Sequence, residues 1–306
     1  MRKINGKRIV SIGILAVLAL SLGGCGISGL NISIGGRKDV AVSGSVKTKT
    51  LEGEATSLTV ENIYVKIGTS TGGPKVELLS DGGRARVEVE AAEELLDAVV
   101  VKFSGGSLRI HAASDRCYVT AEPVKIRLYN YDFEKMSFSG ACEVTDRAGS
   151  GRDGKDLEIT LSGASTFTTD SVRAELFRVD LSGASRLEAG SVRADHFKLD
   201  LSGASVFESP DCTVVTKCDW HISGASSLSL SGTGKDLFAV VGGASRVKSF
   251  DFVQETCVIT VSGASTVECH MTQSLGGSIL HASAVYYHGD PETTVEVGSS
   301  AVLQKK

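Results

Sequence analysis

Asp180 and Asp200 are the residues of this chain whose type and spacing come closest to a catalytic pair. Set one coil apart in a stacked β structure they would lie about 5 Å from each other. That is the separation of the two carboxyls in a retaining glycosidase. Their column does not continue in carboxylates, because His221, Val240 and Thr260 take its next places. Neither carboxylate has a sequence neighbour expected to raise its pKa, such as an enclosing apolar pocket, so the pair reads as two solvated charges on an outer face. Arg173 with Arg193, and Glu188 with Glu208, form like-charge columns of the same kind. The many serines lack a Gly-x-Ser-x-Gly elbow with His and Asp partners. The six histidines are scattered without zinc-ligand spacing. Asp195-His196 and Asp219 to His221 come nearest and read as surface residues. Calcium-binding Gly-Gly-x-Gly-x-Asp nonapeptides are absent. The sequence therefore assigns no catalytic residue, no metal ligand and no cofactor.

The elements that would position any such residue come from a repeat. Leu-Ser-Gly-Ala-Ser at 161 returns at 181 and 201, as Ile-Ser-Gly-Ala-Ser at 222, Val-Gly-Gly-Ala-Ser at 241 and Val-Ser-Gly-Ala-Ser at 261. An earlier Phe-Ser-Gly-Ala-Cys starts at Phe138, and two decayed copies stand at 280 and 297. A fixed period near 20 residues is a solenoid signature. Apolar residues occupy the motif position and the second and fourth positions before it, for example Phe177, Val179 and Leu181, with polar residues between. This period-two alternation is a strand with one buried face. A second apolar column follows six residues after the motif start, at Phe167, Leu187, Phe207, Leu228, Val247 and Val267. One such unit cannot bury its own apolar face, whereas stacked units can. The fold expected is all-β: a right-handed parallel β-helix, or β-solenoid, with coils of about 20 residues. Ser-Gly-Ala-Ser forms its corner, since glycine reaches backbone angles other residues avoid and small side chains let corners stack. A propeller with two units per blade is the weaker alternative.

Composition agrees with an exported β protein: 306 residues, 35 Gly, 4 Pro and few aromatics. The formal net charge is −4, and about −8 without Arg2, Lys3, Lys7 and Arg8 of the leader. No basic patch interleaved with aromatics suggests nucleic acid as a partner. Those four basic residues precede an apolar run from Ile9 to Leu22, then Leu22-Gly23-Gly24-Cys25. The run is short for a membrane span. The arrangement resembles a bacterial lipoprotein signal. That resemblance implies residues 1–24 as signal peptide, with Cys25 lipidated by diacylglycerol and further acylated, palmitate for instance. Several acyl chains give stable anchoring where one would not. Gly26 after the cysteine implies an outer-membrane destination, with the leaflet open. Residues 25–45 hold the lipidated cysteine and a Gly/Ser-rich flexible tether.

Residues 46–137 lack the motif and read as irregular N-terminal strands, and residues 138–306 as the Ser-Gly-Ala-Ser coils. Leu58 to Ile67, Lys75 to Leu79, Arg84 to Glu90, Val99 to Phe103 and Ser107 to His111 are strand candidates, with Ser104-Gly105-Gly106 a tight turn joining the last two. Ala91 to Leu96 fits a helical turn or a loop. A strand–Gly-Gly–Leu-x-Ile hairpin, then a Tyr-rich strand, then repeated Ser-Gly-Ala units, resembles the auto-transporter adhesin family called the head GIN domain, over about residues 46–290. The family often has Gly-Asp after Ser-Gly-Ala. Here Ser165-Thr166, Ser185-Arg186 and Ser205-Val206 stand instead. The resemblance implies an envelope-anchored, adhesin-like, non-enzymatic lipoprotein that is tied to the membrane by its lipid and binds a protein or glycan. It brings no catalytic residue with it. An envelope scaffold and a carbohydrate-active β-helix enzyme are the alternatives.

Six cysteines besides Cys25 allow fifteen complete pairings, and export permits disulfides. Cys218 and Cys257 share one buried column but stand two coils apart, about 9.6 Å along the stack, beyond the roughly 7 Å between Cα atoms that a disulfide spans. They are expected to be unbonded. Cys212 and Cys218 are left open.

Overall fold

The computed structural model describes residues 39–306 apart from 43 and 152. The signal, Cys25 and most of the proposed tether lie outside the described residues. The chain forms a β-solenoid of about 8 turns.

The repeat region folds as the columns require. Thr166–Leu181, Arg186–Leu201, Val206–Ile222, Arg246–Val261 and Thr266–Ile279 each run from one corner to the next. They pair in parallel with the preceding coil, residue over residue: Phe177 on Phe197, Val179 on Leu199, Leu181 on Leu201. The pairing then carries Phe197 to Cys218, Leu199 to Trp220 and Leu201 to Ile222. These side chains are almost wholly buried. Size alternates where it must: Trp220 is followed in its column by Ala239. Gly232 precedes Phe252, and the Trp220 and Phe252 rings meet at 6.0 Å. Phe177 and Phe197 stack at 5.4 Å and 11°.

The corner accounts for its own sequence. Gly163, Gly183, Gly203, Gly224, Gly243 and Gly263 all have φ between +73° and +80°. A Cβ on any of them would come within 2.3–2.5 Å of the carbonyl oxygen of the glycine one coil earlier. That carbonyl accepts the next alanine's N–H, Ala184 to Gly163 and Ala204 to Gly183, at 2.7 Å. The closing serine is buried and its hydroxyl donates back to the opening residue's carbonyl, as Ser185 to Ser182 (2.8 Å) and Ser205 to Ser202 (2.6 Å). Cys142 holds the same place in the first copy, with Sγ 3.3 Å from the Ser139 carbonyl.

The decayed copy is one residue away from where the motif reading put it. Ile279, not Leu280, pairs with Val261, so His281 occupies the glycine position with φ +59°. Its Cβ has to be accommodated, and the ladder bond from Ala282 to Gly263 is 3.1 Å. Coil lengths vary without disturbing the corners. The register shifts fall on the far side of the coil, between Ala194 and His196 for the long coil and between Ser209 and Cys212 for the short one.

The first third departs from simple sequential stacking. Ser57–Glu61 lies parallel to both Ser107–Ala112 and Lys135–Phe138. Lys75–Leu79 lies parallel to both Lys125–Tyr129 and Glu143–Asp146. An early stretch of chain is thus inserted as a coil between two later ones. The stack is closed at this end by antiparallel strands, Val99–Ser104 on Ser107–Ala112 through the Gly105-Gly106 turn, and Val46–Glu52 on Arg86–Ala92. The stretch from Leu58 to Ile67 is two strands, broken at Asn62, which stands in the corner's glycine position with φ +58°. Glu93–Leu96 is one helical turn. Asp39–Ala41, which the sequence places in the tether, pairs in parallel with Cys117–Val119.

Candidate functional site

Every outward position of a corner-to-corner strand belongs to a column that climbs the stack, so the solenoid's chemistry lies on its outer faces. On the face before the corner, one column reads Thr160, Asp180, Asp200, His221, Val240, Thr260. Its neighbour reads Glu158, Arg178, Lys198, Asp219, Phe238, Val258. The face changes character along its length, from charged to apolar. Phe238 is 39% exposed and Val258 52%. The His221 ring lies 6.2 Å from that of Phe238, and its Nδ1 is 3.6 Å from Asp200 Oδ1.

The structure brings Asp180 and Asp200 into register as the period implied. It does not leave Asp180 unperturbed. Partial burial pushes its carboxyl above the usual range, and the charges of Asp200 and Glu158 add to that. The sequence reading missed Glu158 because it sits on the preceding coil, 22 residues away. Both aspartates lie on an open strand surface.

The other like-charge columns are relieved by neighbours. Arg186 reaches Glu188 and, at 2.7 Å, Glu208. Arg193 bonds Asp211 and Thr213, and Arg173 approaches Asp153 at 3.6 Å. A groove of about 350 Å3 lies over the first coils, lined by Lys75, Glu77, Lys125, Arg127, Glu143 and Arg147. Its charges are largely paired, with Lys125 on Glu90 (2.7 Å), Arg127 on Glu90 (3.0 Å) and Lys75 on Glu143 (3.2 Å). The bonds from Lys125 and then Arg127 hold the Glu90 carboxyl below its usual range.

One carboxylate is internal. Asp146 is 3% exposed and accepts the Ala148 and Gly149 N–H groups at 3.0 Å, and the Ser150 and Thr169 hydroxyls. Burial pushes its carboxyl up, against those four bonds. The arrangement closes the bend after Glu143–Asp146 and marks no reactive site.

All six described cysteines are buried, and Cys142, Cys212, Cys218, Cys257 and Cys269 are free thiols. Burial pushes the Cys142, Cys212 and Cys269 thiols up to about 12. Cys218 and Cys257 are unbonded, with Leu237 between them in the column. Among the described residues, no group of three or more His, Cys, Asp or Glu is placed to hold a metal ion. No helix among them is long and apolar enough to cross a membrane.

Fold and surface together define a class: a β-solenoid whose interior is packing and whose outer ladders carry whatever recognition it has. The family described as "Putative auto-transporter adhesin, head GIN domain" matches residues 63–217 and 214–291. The chain belongs to that family. Three crystal structures share the fold. A "putative adhesin" from Parabacteroides merdae ATCC 43184 superposes with TM-score 0.65 at 11% identity, covering 88% of this chain and 99% of that one. A "putative lipid binding protein" from Parabacteroides distasonis ATCC 8503 gives 0.62 at 16%, covering 88% and 100%. A "putative adhesin" from the same organism gives 0.61 at 13%, covering 87% and 100%. No curated protein matches the chain.

Proposed function

We propose that this chain is a non-enzymatic, adhesin-like lipoprotein of the cell envelope, anchored through lipid on Cys25 and directed to the outer membrane. Its partner, a protein or a glycan, docks on the outer face before the corner. One observation carries the docking surface: Phe238 and Val258 stand exposed side by side on an outer sheet face, with the His221 ring near that of Phe238. Large apolar groups grouped on an otherwise polar surface mark contact sites. Family membership supports the adhesin class, and Leu22 to Cys25 supports the anchor. The groove over the first coils is lined by charges, which favours surface recognition over enclosure of an acyl chain.

The test compares full-length protein with a Phe238→Ser, Val258→Ser double variant on glycan arrays and against envelope extract. The expected result is loss of the bound species with an unchanged melting curve. Equal binding by both proteins refutes the surface. The anchor is tested separately by palmitate incorporation, which Cys25→Ser should abolish while releasing the protein from membranes.

A carbohydrate-active reading retains one favouring observation, the registered Asp180–Asp200 pair with its raised Asp180 carboxyl. A glycan-cleaving activity lost in Asp180→Asn, Asp200→Asn would establish it against the proposal.

A further inference from the structure

The two ends of the solenoid differ. The first is closed by antiparallel strands. At the other, Glu292–Val297 pairs on one side with Ser274–Ile279, and Val302–Lys305 pairs on one side with Ala284–Tyr287. Neither has a strand on its outer side among the described residues. Their free backbone N–H and C=O groups form a template for another strand. The side chains beside them are apolar: Val297 is 45% and Val302 44% exposed, and Val295, Ala301 and Leu303 pack only partly onto the core.

We infer that this end is an interface with a second copy of the chain, joined end to end about a twofold axis through the last corner. Glu292–Val297 runs toward the corner at 298–301 and Val302–Lys305 runs away from it. A twofold perpendicular to the stack therefore lays each Glu292–Val297 antiparallel onto the other copy's Val302–Lys305. Inward side chains must oppose inward ones. In the register that matches the corners, Val295 faces Leu303 and Val297 faces Ala301 inside. Outside, Thr294 faces Gln304 and Glu292 faces Lys306.

The charges select this pairing. The charges that meet are Glu292 of the incoming strand and Lys306 after the outgoing one, because Lys305 is held by Asp290 of its own copy. Pairing each strand with its own copy would oppose like charges, which destabilises a sheet. The twofold pairing opposes unlike ones twice. Among the described residues each copy has one such open end, so the contact is isologous and closes at two.

The experiment is sedimentation velocity on the full chain carrying Cys25→Ala, so that no lipid can join copies, over a range of concentrations. A monomer–dimer equilibrium is expected. Glu292→Lys and Lys306→Glu should each weaken it at least tenfold, and the two together should restore it. Both residues are solvent-facing, and unchanged circular dichroism and melting confirm an intact fold. A Glu292→Cys, Lys306→Cys variant should form a disulfide-linked dimer on oxidation. A monomer at every concentration overturns the inference, as does a dimer insensitive to either reversal. So does a monomer that gains only a strand-like peptide at this edge.

Discussion

Gly203→Ala is the sharpest probe of the corner ladder. Gly203 has φ +73°, and the added Cβ would stand 2.5 Å from the Gly183 carbonyl oxygen. The left-handed conformation alone costs alanine roughly 1–2 kcal/mol. Relieving the clash means lifting the corner, which stretches or breaks the 2.7 Å bond from Ala204 to Gly183, about another 1 kcal/mol net. Opening the packed coils beneath adds to this, so a loss of about 3 kcal/mol or more is expected. Gly82→Ala is the control. Gly82 has φ +74° but nothing within 4 Å of its Cβ position. It bears the same conformational cost without the collision and should lose only about 1–2 kcal/mol. Both changes reduce unfolded-chain entropy alike, so the difference isolates the clash. Urea unfolding followed by circular dichroism gives the totals. Because stacks can unfold in parts, amide exchange at Ala184, Ala204 and Ala225 should show the loss centred on one corner. Equal losses at Gly203 and Gly82, or exchange unchanged at Ala204, would refute the ladder.

Further expectations concern the interior. Phe197→Ala should cost about 3–5 kcal/mol, whereas Lys198→Ala on the opposite side of the strand should stay within about 0.5 kcal/mol; similar losses would undo the inside–outside assignment. The raised Asp146 carboxyl penalises folding while ionised, a penalty present above its folded pKa and relieved as pH falls through that value toward the unfolded one near 4. Wild type should therefore gain stability relative to Asp146→Asn as pH falls from 7 toward about 4, and parallel pH profiles would contradict the burial. Asp146→Ala should instead lose about 1–3 kcal/mol, since the Ala148 and Gly149 N–H groups lose their acceptor. The buried thiols of Cys142, Cys212, Cys218, Cys257 and Cys269 should react with iodoacetamide only on unfolding, and fast labelling of them in the native protein would contradict their burial.

The coils were legible because the same demand recurs at every turn. Each corner needs a left-handed residue without Cβ, so glycine repeats, and each column needs an apolar residue in register. Where the demand relaxes, the signal fades. His281 still takes the left-handed conformation, but without glycine the motif could be read one residue late. The insertion of Ser57–Glu61 between Ser107–Ala112 and Lys135–Phe138 left no periodic trace, because pairing across 50 residues leaves no local pattern. Asn62 was the available clue, a residue that tolerates the left-handed region, within an apparently continuous strand. Surface chemistry was the least legible. Columns in sequence showed Asp180 with Asp200, but Arg186 between two glutamates and His221 beside Phe238 depend on diagonal neighbours that the columns do not list.

The glycine ladder also bears on how such a gene can change. Each corner is built against the carbonyl of the one before it, and the site it meets is the same whichever unit supplies it. The corner of one coil can therefore sit on that of any other, so gain or loss of a whole coil keeps the glycine ladder intact, while size-matched columns such as Trp220 over Ala239 have to repack. Partial units cannot be gained this way, since they would misalign the columns. Each whole coil gained or lost changes the stack by about 4.8 Å, moving the far end relative to Asp39 with the corner ladder unbroken.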